Sequence, residues 1–125
     1  MGEGSEGRRP IVLVTEDEPI LRMDAVDMLE AAGFEVVEAT DADQAIAILE
    51  RRPDIRIVFS DIDMPGGMDG LRLAAIIRDR WPPIEIVLTS GNFRPDAASL
   101  PHRSVFFPKP YLGEKVVATL QRLAG

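Results

Sequence analysis

The sequence predicts an α/β domain with a doubly wound, five-stranded parallel sheet and helices on both faces. Three observations predict it. Short apolar, β-branched runs alternate with stretches of helical periodicity five times along the chain. The runs at Ile11 to Val14, Ile55 to Ser60 and Ile84 to Leu88 are apolar at almost every position, as strands buried on both faces are. A length of 125 residues with 46% hydrophobic and 28% charged side chains suits one domain with an ordinary core. Parallel strands joined by right-handed crossovers then carry helices on both faces.

The first nine residues are Gly, Glu and Arg-rich and read as a flexible tail, so the domain is expected over 10–125. Ile11 to Val14 forms the first strand and stops at Thr15-Glu16-Asp17-Glu18-Pro19, which gathers acids at its carboxyl end. Pro19 opens a helix whose apolar residues Ile20, Leu21, Ala25, Met28, Leu29 and Ala32 recur at helical spacing, with Gly33 suited to cap it. Phe34 to Ala39 is a short strand, and Asp41-x-x-Gln44 resembles a capping box before the second helix, which Pro53 closes. The third strand runs into a Pro- and Gly-rich loop from Asp61 to Gly70, and a third helix follows up to Trp81 and Pro82-Pro83. The fourth strand leads to Thr89-Ser90-Gly91. Between Asn92 and Arg103, Pro95 and Pro101 squeeze any fourth helix to a turn or two. Val105 to Phe107 makes the last strand, Lys109-Pro110 follows, and Val116, Val117, Leu120 and Leu123 mark the closing helix. No residues remain for an output domain, so the chain is expected to be a stand-alone domain or one excised from a longer regulator.

A net charge of −7 argues against direct nucleic-acid binding through phosphate neutralisation. No apolar run approaches the roughly 20 residues of a membrane helix, so no membrane role is expected. The chain has no cysteine, which excludes disulfides and thiolate sites and fits a cytoplasmic setting.

In an open parallel sheet, functional groups collect beyond the carboxyl ends of the strands. Those ends supply Glu16 with Asp17, Asp61 with Asp63, Thr89 with Ser90, and Lys109. Carboxylates at about 5 Å repel by about 3 kcal/mol per pair at an effective dielectric of 20, so such a cluster calls for a cation. The oxygen ligands suit Mg²⁺, with Mn²⁺ as a substitute. A metal and the Lys109 ammonium beside Asp61 favour attack by that carboxylate on a phosphoryl group. Thr89 can donate its hydroxyl to the same oxygens. The acyl phosphate formed adds about one to two negative charges at a loop, which is a switch.

The segments V-L-V-T-E-D-E-P (12–19), S-D-I-D-M-P (60–65), M-D-G (68–70), L-T-S-G (88–91) and F-P-K-P (107–110) together resemble a bacterial two-component response-regulator receiver domain, over Ile11 to about Leu123. The resemblance implies the flavodoxin-like receiver fold and phosphorelay signalling, without enzymatic turnover beyond self-phosphorylation and self-dephosphorylation. It implies that Asp61 is the phosphoacceptor, that Glu16 and Asp17 are the metal-binding acid pair, and that the main-chain carbonyl of Asp63 also meets the metal. Thr89 and Lys109 match the phosphate-contacting residues, Phe106 matches the switch residue, and the Lys109-Pro110 bond matches one that is often cis. The implied partners are a histidine kinase or histidine phosphotransfer protein and a downstream target protein.

Several features depart from the common pattern. Glu16 is one methylene longer than the frequent Asp, Gly66-Gly67 lengthens the loop by one residue, the 20 positions from Thr89 to Lys109 are fewer than usual, and Phe106 lacks a tyrosine hydroxyl. Taken singly, each site residue has a plainer explanation. Glu16-Asp17-Glu18 can serve a helix dipole, Asp61 and Asp63 can form a turn, and Lys109 and Thr89 can be ordinary surface and strand-end residues. Two other functions fit parts of the pattern. Asp61-x-Asp63 is similar to the D-x-D of haloacid-dehalogenase-like phosphatases, and a pseudo-receiver would bind partners without phosphorylation.

Overall fold

The computed structural model describes residues 9–65 and 67–125. The tail expected over 1–9 therefore lies, apart from Arg9, outside the described residues, as does Gly66 of the lengthened loop. Five strands, β1 (Ile11–Thr15), β2 (Glu35–Ala39), β3 (Ile55–Asp61), β4 (Glu85–Ser90) and β5 (Ser104–Pro108), form one parallel sheet in the order β2-β1-β3-β4-β5. Four helices, α1 (Pro19–Ala31), α2 (Ala42–Arg51), α3 (Gly70–Arg80) and α4 (Gly113–Ala124), connect and close it.

Alternation along the strands divides the core into two clusters. Leu13, Val58, Ile86 and Leu88 pack with Ala45 and Leu49 of α2 and Leu73 and Ile77 of α3. Val12, Val14, Ile57, Phe59 and Val87 pack with Leu29 of α1 and Val116 and Leu120 of α4. The sheet is thus doubly wound, as expected. Full burial of a Val, Leu or Ile side chain contributes about 1.5–3 kcal/mol, and both faces of the sheet gain from it.

The helix ends follow the punctuation of the sequence. Pro19 stands in the first turn of α1. At its other end Gly33 has φ of 96°, a conformation costly for any residue with a Cβ. Its N–H donates to the Glu30 carbonyl at 3.0 Å and that of Phe34 to the Leu29 carbonyl at 3.1 Å, a Schellman motif sealed by the buried Leu29 and Phe34 side chains. The Asp41 carboxylate accepts from the Gln44 N–H at 2.8 Å. Gln44 reaches back one residue further than a capping box requires, accepting from the Thr40 N–H at 2.6 Å.

Between β4 and β5 the expected short helix is reduced to one 3₁₀ turn, Ala97–Ser99, bracketed by Pro95 and Pro101. Leu100 and Phe106 pack on the α2–α3 side of the sheet instead. Arg78 of α3 ties this region down, donating to the carbonyls of Pro82 at 2.7 Å, Ile84 at 2.9 Å, His102 at 3.0 Å and Arg103 at 3.2 Å. Arg78→Ala is expected to cost about 2 kcal/mol, read as a lower urea midpoint at unchanged slope, with Arg78→Lys recovering little because an ammonium cannot span four carbonyls. Among the described residues, no helix is long and apolar enough to cross a membrane.

Candidate functional site

Register brings the strand ends together. Asp61, the last residue of β3, pairs with Thr89 of β4, and Thr15 of β1 pairs with Ser60. The Lys109 N–H continues the ladder to the Ser90 carbonyl at 2.9 Å. Side chains of the site therefore emerge at one rim. The Lys109 ammonium donates to Asp61 Oδ2 at 3.1 Å and to Glu16 Oε1 at 3.4 Å, crossing 48 and 93 positions of sequence. Asp61 Oδ1 accepts from the Asp63 N–H at 3.0 Å, and Glu16 Oε2 from the Glu18 N–H at 3.1 Å. The acids before α1 thus serve the site more than the helix, since the N-cap residue Glu18 makes no side-chain capping bond.

One oxygen each from Glu16, Asp17 and Asp61 lies within 4.8 Å of the others. Three carboxylates at that spacing, with one ammonium, leave excess negative charge suited to a hard divalent cation. Glu16 shows the strain. Its carboxyl is pushed up to about 7 on balance, chiefly by burial and also by the charge of Asp61, with the Glu18 N–H and Lys109 pulling it down. Burial also works to lower the Lys109 value, but the hydrogen bond and charge of Asp61, followed by those of Glu16, hold its ammonium above the ordinary lysine value. The Thr89 hydroxyl is buried without a hydrogen-bond partner, a donor waiting for an acceptor. A cavity of about 530 Å³ opens onto this rim, lined by Glu16, Asp61, Thr89 and Lys109 together with the apolar Leu21 and Phe59.

Glu16, Asp17, Asp61 and Lys109 are thus assembled at one point, with Thr89 lining the same cavity. The Asp63 carboxylate turns away and accepts from the Ser90 hydroxyl at 2.6 Å, so only its main chain faces Asp61. Phe106 packs with the α2–α3 cluster, whereas Phe107 belongs to the opposite face. The Lys109-Pro110 peptide is cis.

Three contributors were not singled out by sequence. Gly70 is one, because a Cβ there would fall on the Asp61 carbonyl oxygen and 2.7 Å from the Ile62 Cα. Its place after Met68-Asp69 was the available signal. Arg22 donates to the Glu16 carbonyl at 2.9 Å and to Glu38 at 3.1 Å, which fixes the loop after β1. Nothing in a helical arginine announces that. Tyr111 stands edge-on to Phe59 with ring centroids 5.9 Å apart, and burial pushes its phenol up.

The family model described as response regulator receiver domain matches residues 12–102. The chain is 33% identical over 116 residues to the nitrogen assimilation regulatory protein NtrX of Azorhizobium caulinodans, covering 89% of this chain and 25% of that protein. It is 34% identical over 117 residues to the sensor kinase CckA of Brucella abortus, covering 90% of this chain and 12% of that one. The chain therefore spans a quarter or less of the length of these relatives. The crystal structure of a response regulator receiver protein from Sinorhizobium medicae superposes with a TM-score of 0.86 at 28% identity, over 94% of this chain and 95% of that one.

Proposed function

The chain belongs to the response regulator receiver domain family, whose members work in two-component signalling, and from that premise we propose that Asp61 is the residue that accepts the phosphoryl group. The observation that carries the proposal is the Lys109 ammonium held between the buried Asp61 and Glu16 carboxylates, beside a Thr89 hydroxyl with no partner. One Asp61 carboxylate oxygen attacks the phosphorus of a phosphohistidine on a kinase or phosphotransfer protein. The P–O bond forms as the P–N bond breaks, and the departing imidazole nitrogen keeps the electron pair and takes a proton. Lys109 neutralises the phosphoryl oxygens and Thr89 donates to them. Glu16, Asp17, Asp61 and the Asp63 main-chain carbonyl would hold Mg²⁺, which supplies charge neutralisation at the phosphoryl oxygens when bound. The altered loop charge then changes affinity for a target protein, and the two states must differ in that affinity for a signal to pass. The chain's net charge of −7 favours a protein rather than nucleic acid as what this domain itself touches.

Intact-mass measurement after incubation with Mg²⁺ and a small phosphodonor tests the assignment. One phosphate adduct is expected on the parent and none on Asp61→Asn. No adduct on the parent, or an equal one on the variant, contradicts it, and sustained turnover of a phosphate ester would favour a phosphatase instead.

A phosphohistidine on a protein must approach through the cavity lined by Leu21, Asp24 and Tyr111, whose chain neighbours Ile20, Met23 and Leu112 are 69%, 59% and 58% exposed on α1 and just before α4. Leu112→Asp is expected to slow transfer from a protein donor tenfold or more and to leave phosphorylation by a small phosphodonor within twofold of the parent.

Glu16 gives a pH dependence of definite sign. Its carboxyl ionises near 4.5 in an unfolded chain and at about 7 in the folded, metal-free one, so the stability it contributes is full below pH 4.5 and is lost as pH rises through about 7. A cation at this site requires the ionised form. Magnesium binding at pH 6 is therefore expected to release about one proton, with apparent affinity falling up to tenfold per pH unit below about 7. Calorimetry in two buffers of different ionisation enthalpy measures this, and zero proton release at pH 6 contradicts it.

A further inference from the structure

The side chain of Asp63 has a task separate from its main chain. Its Oδ2 accepts from the Ser90 hydroxyl at 2.6 Å, the Gly91 N–H at 3.2 Å and the Asn92 N–H at 3.3 Å. The Ser90 oxygen in turn accepts from the Phe93 N–H at 2.9 Å. One carboxylate thus holds the first residues of the segment after β4, which has only a three-residue 3₁₀ turn to order it. The same residue touches the phosphoacceptor, because the Asp63 N–H donates to Asp61 Oδ1 at 3.0 Å.

We propose that Asp63 and Ser90 form a latch that holds the segment after β4 in its resting position and thereby sets how readily the phosphorylated state is reached. This rests on the assignment of Asp61 as phosphoacceptor. Esterifying Asp61 replaces a charged acceptor by a neutral acyl group, which weakens its bond from the Asp63 N–H. The Thr89 hydroxyl has no partner at rest, and turning it onto the new phosphoryl oxygens would draw the adjoining Ser90 and Gly91 against their bonds to Asp63. The latch is therefore satisfied in the resting state and strained in the other, and removing it favours the second state by the same factor that it strengthens phosphoryl binding. Asp63 is a positioning residue here, acting through Ser90.

The test uses Mg²⁺ with beryllium fluoride, a phosphoryl mimic, on the full chain. Ser90→Ala and Asp63→Ala are each expected to bind it about five- to tenfold more tightly than the parent. The double variant should gain little beyond the stronger single one, because both remove one interaction. In the free variants the Phe93 amide should exchange its hydrogen faster. Parent-level or weaker affinity in both single variants overturns the latch, even if exchange is faster, since a purely structural bond would change exchange alone. If Asp63→Ala fails to fold, Ser90→Ala decides the question by itself. A parent chain that binds no beryllium fluoride, or binds it equally as Asp61→Asn, overturns the phosphoacceptor assignment and the latch with it. Parent binding that depends on Asp61 with unshifted variants removes the latch alone.

Discussion

Lys109→Met is expected to slow phosphoryl acceptance by Asp61 about 10²- to 10³-fold, the usual cost of removing one preorganised donor from developing transition-state charge. The substitution keeps an unbranched stem as long as that of lysine up to Cε and removes the ammonium now 3.1 Å from Asp61 and 3.4 Å from Glu16. Two buried carboxylates then face one another without their cation. Because the charge and hydrogen bond of Lys109 hold the Glu16 carboxyl down, its loss moves that group further up, and Glu16 stays protonated over more of the neutral range. Lys109→Arg recovers little, since a planar fork does not fit where a compact ammonium bridges two acids. Rates of adduct formation with a small phosphodonor check this, and a rate within threefold of the parent refutes the role given to Lys109.

Gly70→Ala carries the largest expected stability effect, a loss of about 3 kcal/mol, the upper end of the usual cost of overpacking. The added carbon would meet no flexible side chain that can swing aside. It would fall on the carbonyl oxygen of Asp61, 2.9 Å from the Asp61 carbonyl carbon and 2.7 Å from the Ile62 Cα, all of them backbone. Either α3 moves off the end of β3, breaking the bond from the Gly70 N–H to the Ile62 carbonyl at 3.0 Å, or the strand end shifts and takes Asp61 with it. Both routes harm the protein, so the variant should unfold at lower denaturant and accept phosphate more slowly than its remaining folded fraction explains. Urea unfolding beside single-turnover phosphorylation separates the two losses, and parent-like values in both refute the close contact.

The layers of the fold were legible because strands buried on both faces leave nearly unbroken apolar runs, as Ile11 to Val14 and Ile84 to Leu88 do. Ends of elements were legible where one residue type has a single physical use, such as Pro19 at a helix start or Gly33 in the left-handed cap. The site was legible as a set of residue types at strand ends, because topology alone brings Glu16, Asp61 and Lys109 to one rim. The orientation of each side chain was not. The Asp63 main chain faces Asp61 while its carboxylate faces Ser90, a division that depends on rotamers and loop path and leaves no trace in residue order. The reach of Arg78 across to His102 and Arg103 was hidden for the same reason, since those carbonyls sit there only because the helix between β4 and β5 has shrunk to a turn.

The central claim is that a phosphoryl group arrives on one oxygen of Asp61 and nowhere else. Borohydride reduces an acyl phosphate of aspartate to homoserine, so peptide sequencing by mass spectrometry after phosphorylation and reduction reads the modified position directly. The account predicts homoserine at position 61 alone, dependent on Mg²⁺ and formed far more slowly when Lys109 is replaced by methionine. Homoserine at position 17 or 63, or none after an adduct has been seen on the intact chain, would contradict it.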